Sequence, residues 1–249
     1  MTTALVTGAS GGIGLEIARA LGADHDLVLV ARSGERLREV AEEIGGARVL
    51  ALDLALPGAV ARIVDEVPEI DVLVNNAGIG DFAPFAEADP AKLDSLIALN
   101  IGALTGLTRA YLPGMLHRGH GRILNVASTA SFQPGPLMAV YYASKAYVLS
   151  LSEALAEETR GSGVTVTALC PGPTASGFQA GASMEGSRLV RGRKLPTAAS
   201  VAAYGVAAMR KGEAVAVPGF MNKMLAASVR VTPRPIIRRV VHRMQASGD

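Results

Sequence analysis

Short runs of Val, Leu, Ile and Ala alternate with longer helical patterns along this chain, and that alternation leaves few folds open. The runs are Ala4–Thr7, Leu27–Ala31, Ala47–Asp53, Ile70–Asn75, Gly121–Ala127, Val164–Cys170 and Ala214–Val217. Most are near-continuously apolar, as strands buried on both faces must be. Between them the pattern predicts helices at Gly12–Ala23, Ser33–Ile44, Gly58–Glu66, Pro90–His117, Val140–Thr159 and Thr197–Lys211. Repeated strand–helix–strand units need right-handed crossovers and give a parallel sheet with helices on both faces. The expected fold is one doubly wound α/β domain with a strand for each of those runs. No repeat or linker divides the chain, and 249 residues suffice for one large domain.

Composition excludes several classes. With 49% hydrophobic and 18% charged residues the chain is not intrinsically disordered. A formal net charge of +2 argues against a whole-surface nucleic-acid binder. One cysteine, Cys170, excludes an intramolecular disulfide and a multi-cysteine zinc cluster. The four histidines have no paired spacing that suggests a metal site. The first apolar run ends in a glycine turn by Gly8, too early for a signal peptide. No apolar stretch reaches the ~18 residues that a spanning helix needs. The expectation is a cytoplasmic protein.

Two segments break the rhythm. Pro171–Leu195 is glycine-rich, lacks periodicity and follows a strand end, where ligands sit in open α/β sheets. It reads as a substrate loop, with Phe178, Met184 and Glu185 its most distinctive residues. From Gly219 the chain carries Lys223, Arg230, Arg234, Arg238, Arg239 and Arg243 against one acid, Asp249. Residues 1–218 therefore form the expected main α/β domain, and 219–249 a basic, helical tail that belongs to it or serves interaction. Such a segment can lie on an anionic membrane, although a solvated or oligomer-facing helix is the ordinary reading.

The first strand runs into Thr7-Gly8-Ala9-Ser10-Gly11-Gly12-Ile13-Gly14, which opens a helix. Glycines there let backbone approach a pyrophosphate, and the helix N-terminus offers N–H groups to it. The spacing Thr-Gly-x-x-x-Gly-x-Gly resembles the short-chain dehydrogenase/reductase family, which has a Rossmann-type fold. Further matches follow in the family's order: Asn75-Asn76-Ala77-Gly78, Ser128 at the end of the fifth strand, Tyr141-x-x-x-Lys145, and Pro171-Gly172. The resemblance covers residues 3 to about 219.

The second strand ends in Ala31-Arg32. Ala31 stands where family members using NAD carry an acid, and Arg32 suits a ribose 2′-phosphate, so NADP(H) is expected over NAD(H). Gly11 departs from the basic residue often found there in NADP-using relatives. Asp53-Leu54 looks like the adenine contact, and Asp53 could also cap the helix that follows.

Tyr141 and Lys145 lie on one helix face, and Tyr142 is also within a turn of Lys145, so geometry alone does not choose between the tyrosines. A phenol can give a proton to an alkoxide, and a nearby ammonium favours the phenolate. Ser128 ends a buried strand, with Ser131 a nearby alternative, and Asn100 falls inside the apolar stripe Leu93, Leu96, Ile97, Leu104, Leu107, Tyr111. A buried amide needs partners, whether backbone or a relay. The resemblance implies Asn100, Ser128, Tyr141 and Lys145 as the catalytic tetrad. It also implies cofactor contacts from Gly8, Ser10, Gly11, Gly12, Ile13, Gly14, Asn76, Ala77, Gly78, Tyr141, Lys145, Pro171, Gly172 and Thr174. Cys170 reads as a core residue.

The expectation is an NADP(H)-dependent oxidoreductase that acts on an apolar or bulky carbonyl/alcohol pair, with no metal and no nucleic acid. The resemblance implies a homodimer or homotetramer. The alternative is a catalytically idle NADP(H)-binding regulator acting through the tail.

Overall fold

In the computed structural model, described over residues 2–182, 192 and 194–245, seven parallel strands lie in the order β3-β2-β1-β4-β5-β6-β7. They are β1 (Thr2–Thr7), β2 (His25–Ala31), β3 (Arg48–Ala51), β4 (Val72–Asn75), β5 (Gly121–Val126), β6 (Val164–Leu169) and β7 (Val215–Ala216). The chain steps outward from β1 to β3 and then returns to place β4 on the other side of β1. At this reversal the connections leave to opposite faces and open a crevice beyond the carboxyl ends of β1 and β4.

Helices α1 (Gly12–Leu21), α2 (Gly34–Glu43) and α3 (Ala59–Glu66) connect the first four strands. After β4 come α4 (Pro90–Ile97) and α5 (Leu104–Arg118), and α6 (Ala139–Glu158) joins β5 to β6. Side chains of β1 alternate between two cores. Ala4 and Val6 pack with Ile17 and Leu21 of α1 and Leu37 of α2, whereas Leu5 packs with Ile63 of α3 and Leu107 of α5. Burial of each such Leu or Ile stabilises the fold by about 1.5–3 kcal/mol.

The single helix expected over Pro90–His117 is interrupted. Ala98–Ala103 forms a π-helical segment between α4 and α5, and Asn100 lies within it, 1% exposed. The wider turn is held from outside the helix: the Asn100 amide bonds the backbone of Ile79 at both ends, accepting from its N–H (3.0 Å) and donating to its carbonyl (2.9 Å). Such segments often mark functional positions.

Past β6 the chain forms the short α7 (Phe178–Gly181), then α8 (Ala198–Lys211), and after β7 the helices α9 (Phe220–Ser228) and α10 (Arg234–Gln245). Met184, Glu185 and Asp249 lie outside the described residues. Ile237 and Val241 of α10 are buried against Ala130, Met138 and Tyr142, so the basic segment packs on the sheet's carboxyl end. No described helix is long and apolar enough to cross a membrane.

Candidate active site

The end of β1 is tied to the end of β4 by side chains. The Thr7 hydroxyl donates to the Val74 carbonyl (3.1 Å) and accepts from the N–H groups of Asn76 and Ala77, both at 3.0 Å. Asn76 returns the link, its Nδ2 donating to the carbonyls of Thr7 (2.9 Å) and Gly8 (3.2 Å). Gly8 has φ +67°, which L side chains rarely adopt. A Cβ on Gly14 would overlap the Gly8 carbonyl and Asn76 Nδ2. These contacts bring the first turn of α1 close to the β4 loop. Among the described residues no side chain caps α1, so its first N–H groups are open to a ligand. A Cβ on Gly11 would meet no described atom within 4 Å, so the described residues leave the space over the turn open. An uncapped helix start beneath an open, glycine-lined turn fits the pyrophosphate of a dinucleotide.

The turn forms one end of a cavity of about 790 Å³. Gly8, Ser10, Gly11, Gly12 and Ile13 line it, as do Arg32, Asp53, Leu54, Asn76, Ala77 and Gly78. Ser128, Tyr141, Lys145, Pro171, Gly172 and Thr174 line the same space. Two expected residues stand behind the wall. Gly14 is buried under the turn, and Asn100 sits beneath Gly78, whose added Cβ would lie 3.2 Å from Asn100 Oδ1 and 3.4 Å from Lys145 Nζ. Arg32 is exposed at the end of β2 and forms no ion pair with a described residue. Asp53 does not cap α3, which starts only at Ala59 behind Gly58; its carboxylate instead accepts from Ala55 N–H at 3.0 Å. The Thr174 hydroxyl donates to the Gly172 carbonyl at 2.9 Å.

At the other end the structure separates the alternatives the sequence leaves open. Ser131 is buried and donates to the Lys145 carbonyl at 2.7 Å, away from the cavity. Ser128 faces the cavity, where its hydroxyl accepts from Ala130 N–H (3.1 Å) and interacts with Tyr141. Tyr141 and Tyr142 both line the space, with rings edge-on at 6.1 Å. Tyr142, however, is 7% exposed and belongs to the core under α10. The Tyr141 ring also meets Phe178 of α7 at 5.3 Å.

Burial sets the charge states here. It pushes the Tyr141 phenol up to about 12, and the Ser128 hydroxyl pulls the other way. The lowering expected from Lys145 is not what moves this phenol. Lys145 Nζ donates to the Val126 carbonyl at 2.8 Å and sits 5.9 Å from the Tyr141 ring centre. Lys145 is itself lowered to about 8 by burial. Burial also raises the Cys170 thiol to about 12, consistent with a core side chain.

Part of the wall, apart from Phe178 of the expected substrate loop, carries no sequence signal. Met138, Phe178, Leu225, Ala226 and Met244 line the cavity together with Asn222. Leu137, the one non-glycine residue with positive φ among those described (+66°), has its carbonyl held by Ala83 N–H at 2.9 Å, which fixes Met138 beside it. Asn222 donates to the Pro218 carbonyl at 2.8 Å and lies against Gly172.

The family model for short chain dehydrogenases matches residues 2–185. The chain belongs to the short-chain dehydrogenase family. This short-chain dehydrogenase is 38% identical over 179 residues to the ketoacyl reductase HetN of a Nostoc species, a match spanning 68% of this chain and 62% of HetN. Among solved structures it resembles a Sphingobium yanoikuyae short-chain dehydrogenase in complex with NADPH, with TM-score 0.82 and 30% identity over 93% of this chain and 94% of that one. It also resembles the bulky-bulky ketone specific alcohol dehydrogenase of Comamonas testosteroni, with TM-score 0.79 and 28% identity over 93% of each chain.

Proposed function

We propose that this short-chain dehydrogenase is an NADP(H)-dependent carbonyl reductase for bulky, apolar ketones or aldehydes, working reversibly on the matching alcohols. The observation that carries this is the meeting of Ser128, Tyr141 and Lys145 with the glycine turn in one cavity. A bound nicotinamide dinucleotide supplies the hydride in reduction and takes it up in oxidation. The α1 N-terminus and the Gly8–Gly12 turn would hold its pyrophosphate, and Lys145 its nicotinamide ribose. Tyr141, protonated at neutral pH, gives its proton to the carbonyl oxygen as negative charge develops there. Ser128 donates a hydrogen bond to the same oxygen and fixes its position. Asn100 anchors the Ile79 backbone beside Lys145 and acts by positioning.

Two features support the finer reading. Arg32 is exposed, free of a described carboxylate partner, and follows Ala31, where an acid would repel a 2′-phosphate. Met138, Tyr142, Phe178 and Leu225 give the substrate end an apolar lining, and the Comamonas relative is described as specific for bulky ketones.

The test follows NADPH absorbance at ~340 nm with a ketone panel, beside Tyr141→Phe. Turnover in the variant is expected to fall by about 10²–10⁴-fold while NADPH still binds. Turnover indifferent to Tyr141→Phe overturns the assignment, and equal use of NADH overturns the reading of Arg32. NADPH binding without turnover on any compound is the result a regulator acting through the tail predicts.

A further inference from the structure

We propose that the outer face of α9 and α10 docks this protein on the surface of an anionic lipid bilayer, with the cavity rim at Leu225 inside the contact. The face combines two features that neither a solvated helix nor a core helix needs. At the start of α9, Phe220, Met221, Met224 and Leu225 are 78%, 68%, 52% and 53% exposed. Clustered large apolar side chains this far out of the fold are characteristic of an interaction surface. In α10 the inward stripe is Ile237, Val241 and Gln245, spaced four apart, and it seats the helix on the core. Its outward side carries Arg234, Arg238, Arg239 and Arg243, with Ile236 and Val240 about half exposed among them.

The charge pattern chooses the partner. Residues 214–248 contain no Asp or Glu. None of the six cations from Lys223 to Arg243 forms an ion pair with a described residue. A surface that pairs unneutralised cations with exposed apolar side chains fits a bilayer with anionic headgroups, where the cations meet phosphate and the apolar side chains enter the acyl boundary. A second copy docking this face on itself would set like charges together with no acid to separate them. Nucleic acid would satisfy the arginines and leave Phe220 and Met221 in water. Leu225 lies both in the exposed row and on the cavity wall. The contact therefore borders the entrance, and an apolar substrate dissolved in the bilayer would reach it without crossing water.

Cosedimentation tests this with the full chain. Vesicles of phosphatidylcholine alone are compared with vesicles containing about one third phosphatidylglycerol, at about 0.1 M and about 1 M salt. The wild type is expected to pellet with the anionic vesicles at low salt and to remain in solution with the neutral ones. Phe220→Ser/Met221→Ser and Arg238→Glu/Arg239→Glu each lower that binding about tenfold or more. None of these four side chains lines the cavity. Melting temperature and turnover of a water-soluble ketone are therefore expected to stay at wild-type values, which separates lost docking from lost folding. Wild-type protein that stays in solution with both vesicles overturns the proposal, as do folded double variants that still bind normally. A particle mass that halves on Phe220→Ser/Met221→Ser, without vesicle binding, identifies a second copy as the occupant and also overturns it. Pelleting is read without turnover, so failure of the reductase assignment leaves this result standing on its own.

Discussion

The two ends of the cavity are built from different materials. At the dinucleotide end the wall is backbone: Gly8, Gly11 and Gly12, the start of α1, and a β4 loop held by Thr7 and Asn76. At the substrate end it is side chain: Met138, Tyr142, Phe178, Leu225 and Met244, drawn from α6, α7, α9, α10 and the loop before α6. This backbone wall has no spare volume at its close approaches, Gly8 and Gly14 against Asn76, which depend on a missing Cβ, and at Thr7, which depends on a hydroxyl. A wall of apolar side chains needs only volume, and many residues supply it. The contrast predicts that substitutions at the close approaches of the first end damage binding and folding together, whereas those at the second end change which substrate fits.

Gly14→Ala puts the largest strain on this comparison. Its Cβ has to displace the Gly8 carbonyl or Asn76, so a loss of about 3 kcal/mol or more is expected, with dinucleotide binding abolished. Gly11→Ala enters open space and is expected to melt within about 0.5 kcal/mol of wild type. Equal damage from both, by thermal melting and NADPH titration, would show that the close approach is not what matters.

Lys145 gives a test through pH. Its pKa falls to about 8 on folding, so between there and its ordinary value of ~10.4 the unfolded chain holds the extra proton, and stability rises with pH. Relative to Lys145→Met, the wild type should gain about 2–3 kcal/mol between pH ~7 and ~10. A denaturation series whose gap does not change over that window removes the buried charge from the account.

Thr7→Val keeps shape and removes the hydroxyl that satisfies two N–H groups and one carbonyl. A cost of about 2–3 kcal/mol in urea unfolding is expected. The smallest effect belongs to the other wall. Met244→Ala should raise KM for bulky ketones by about tenfold or less, leave small ketones nearly unchanged and barely shift the urea midpoint. Should Met244→Ala unfold the protein as readily as Thr7→Val, the division between the ends fails.

The same difference explains what could be read from the sequence. The strand runs and the glycine turn were legible because burial on both faces and backbone contact each restrict residue choice. Tyr141 and Ser128 were marked by spacing, yet Tyr142 and Ser131 fitted the local geometry equally well until α10 covered one and the α6 backbone took the other. The π-helical segment was not legible. It is held by the Asn100 amide bonded to Ile79, a contact twenty-one residues apart in sequence that helical periodicity does not contain. Nor did composition show that α9 and α10 reach the cavity, because Leu225 and Met244 are ordinary apolar residues whose placement depends on tertiary packing. The direction of the Tyr141 shift was missed for a related reason: burial outweighs a cation whose Nζ is turned toward the Val126 carbonyl.

The aromatic contacts of Tyr141 also make the site optically distinct. The chain has no Trp and only five Tyr, two of which, Tyr141 and Tyr142, line the cavity. Ultraviolet emission from the native protein is therefore tyrosine emission, and two of its five sources border the same space. The Phe178 ring beside Tyr141 links that signal to the segment after β6. Filling of the cavity, and any rearrangement of α7 that accompanies it, has a spectroscopic reporter that needs no introduced label.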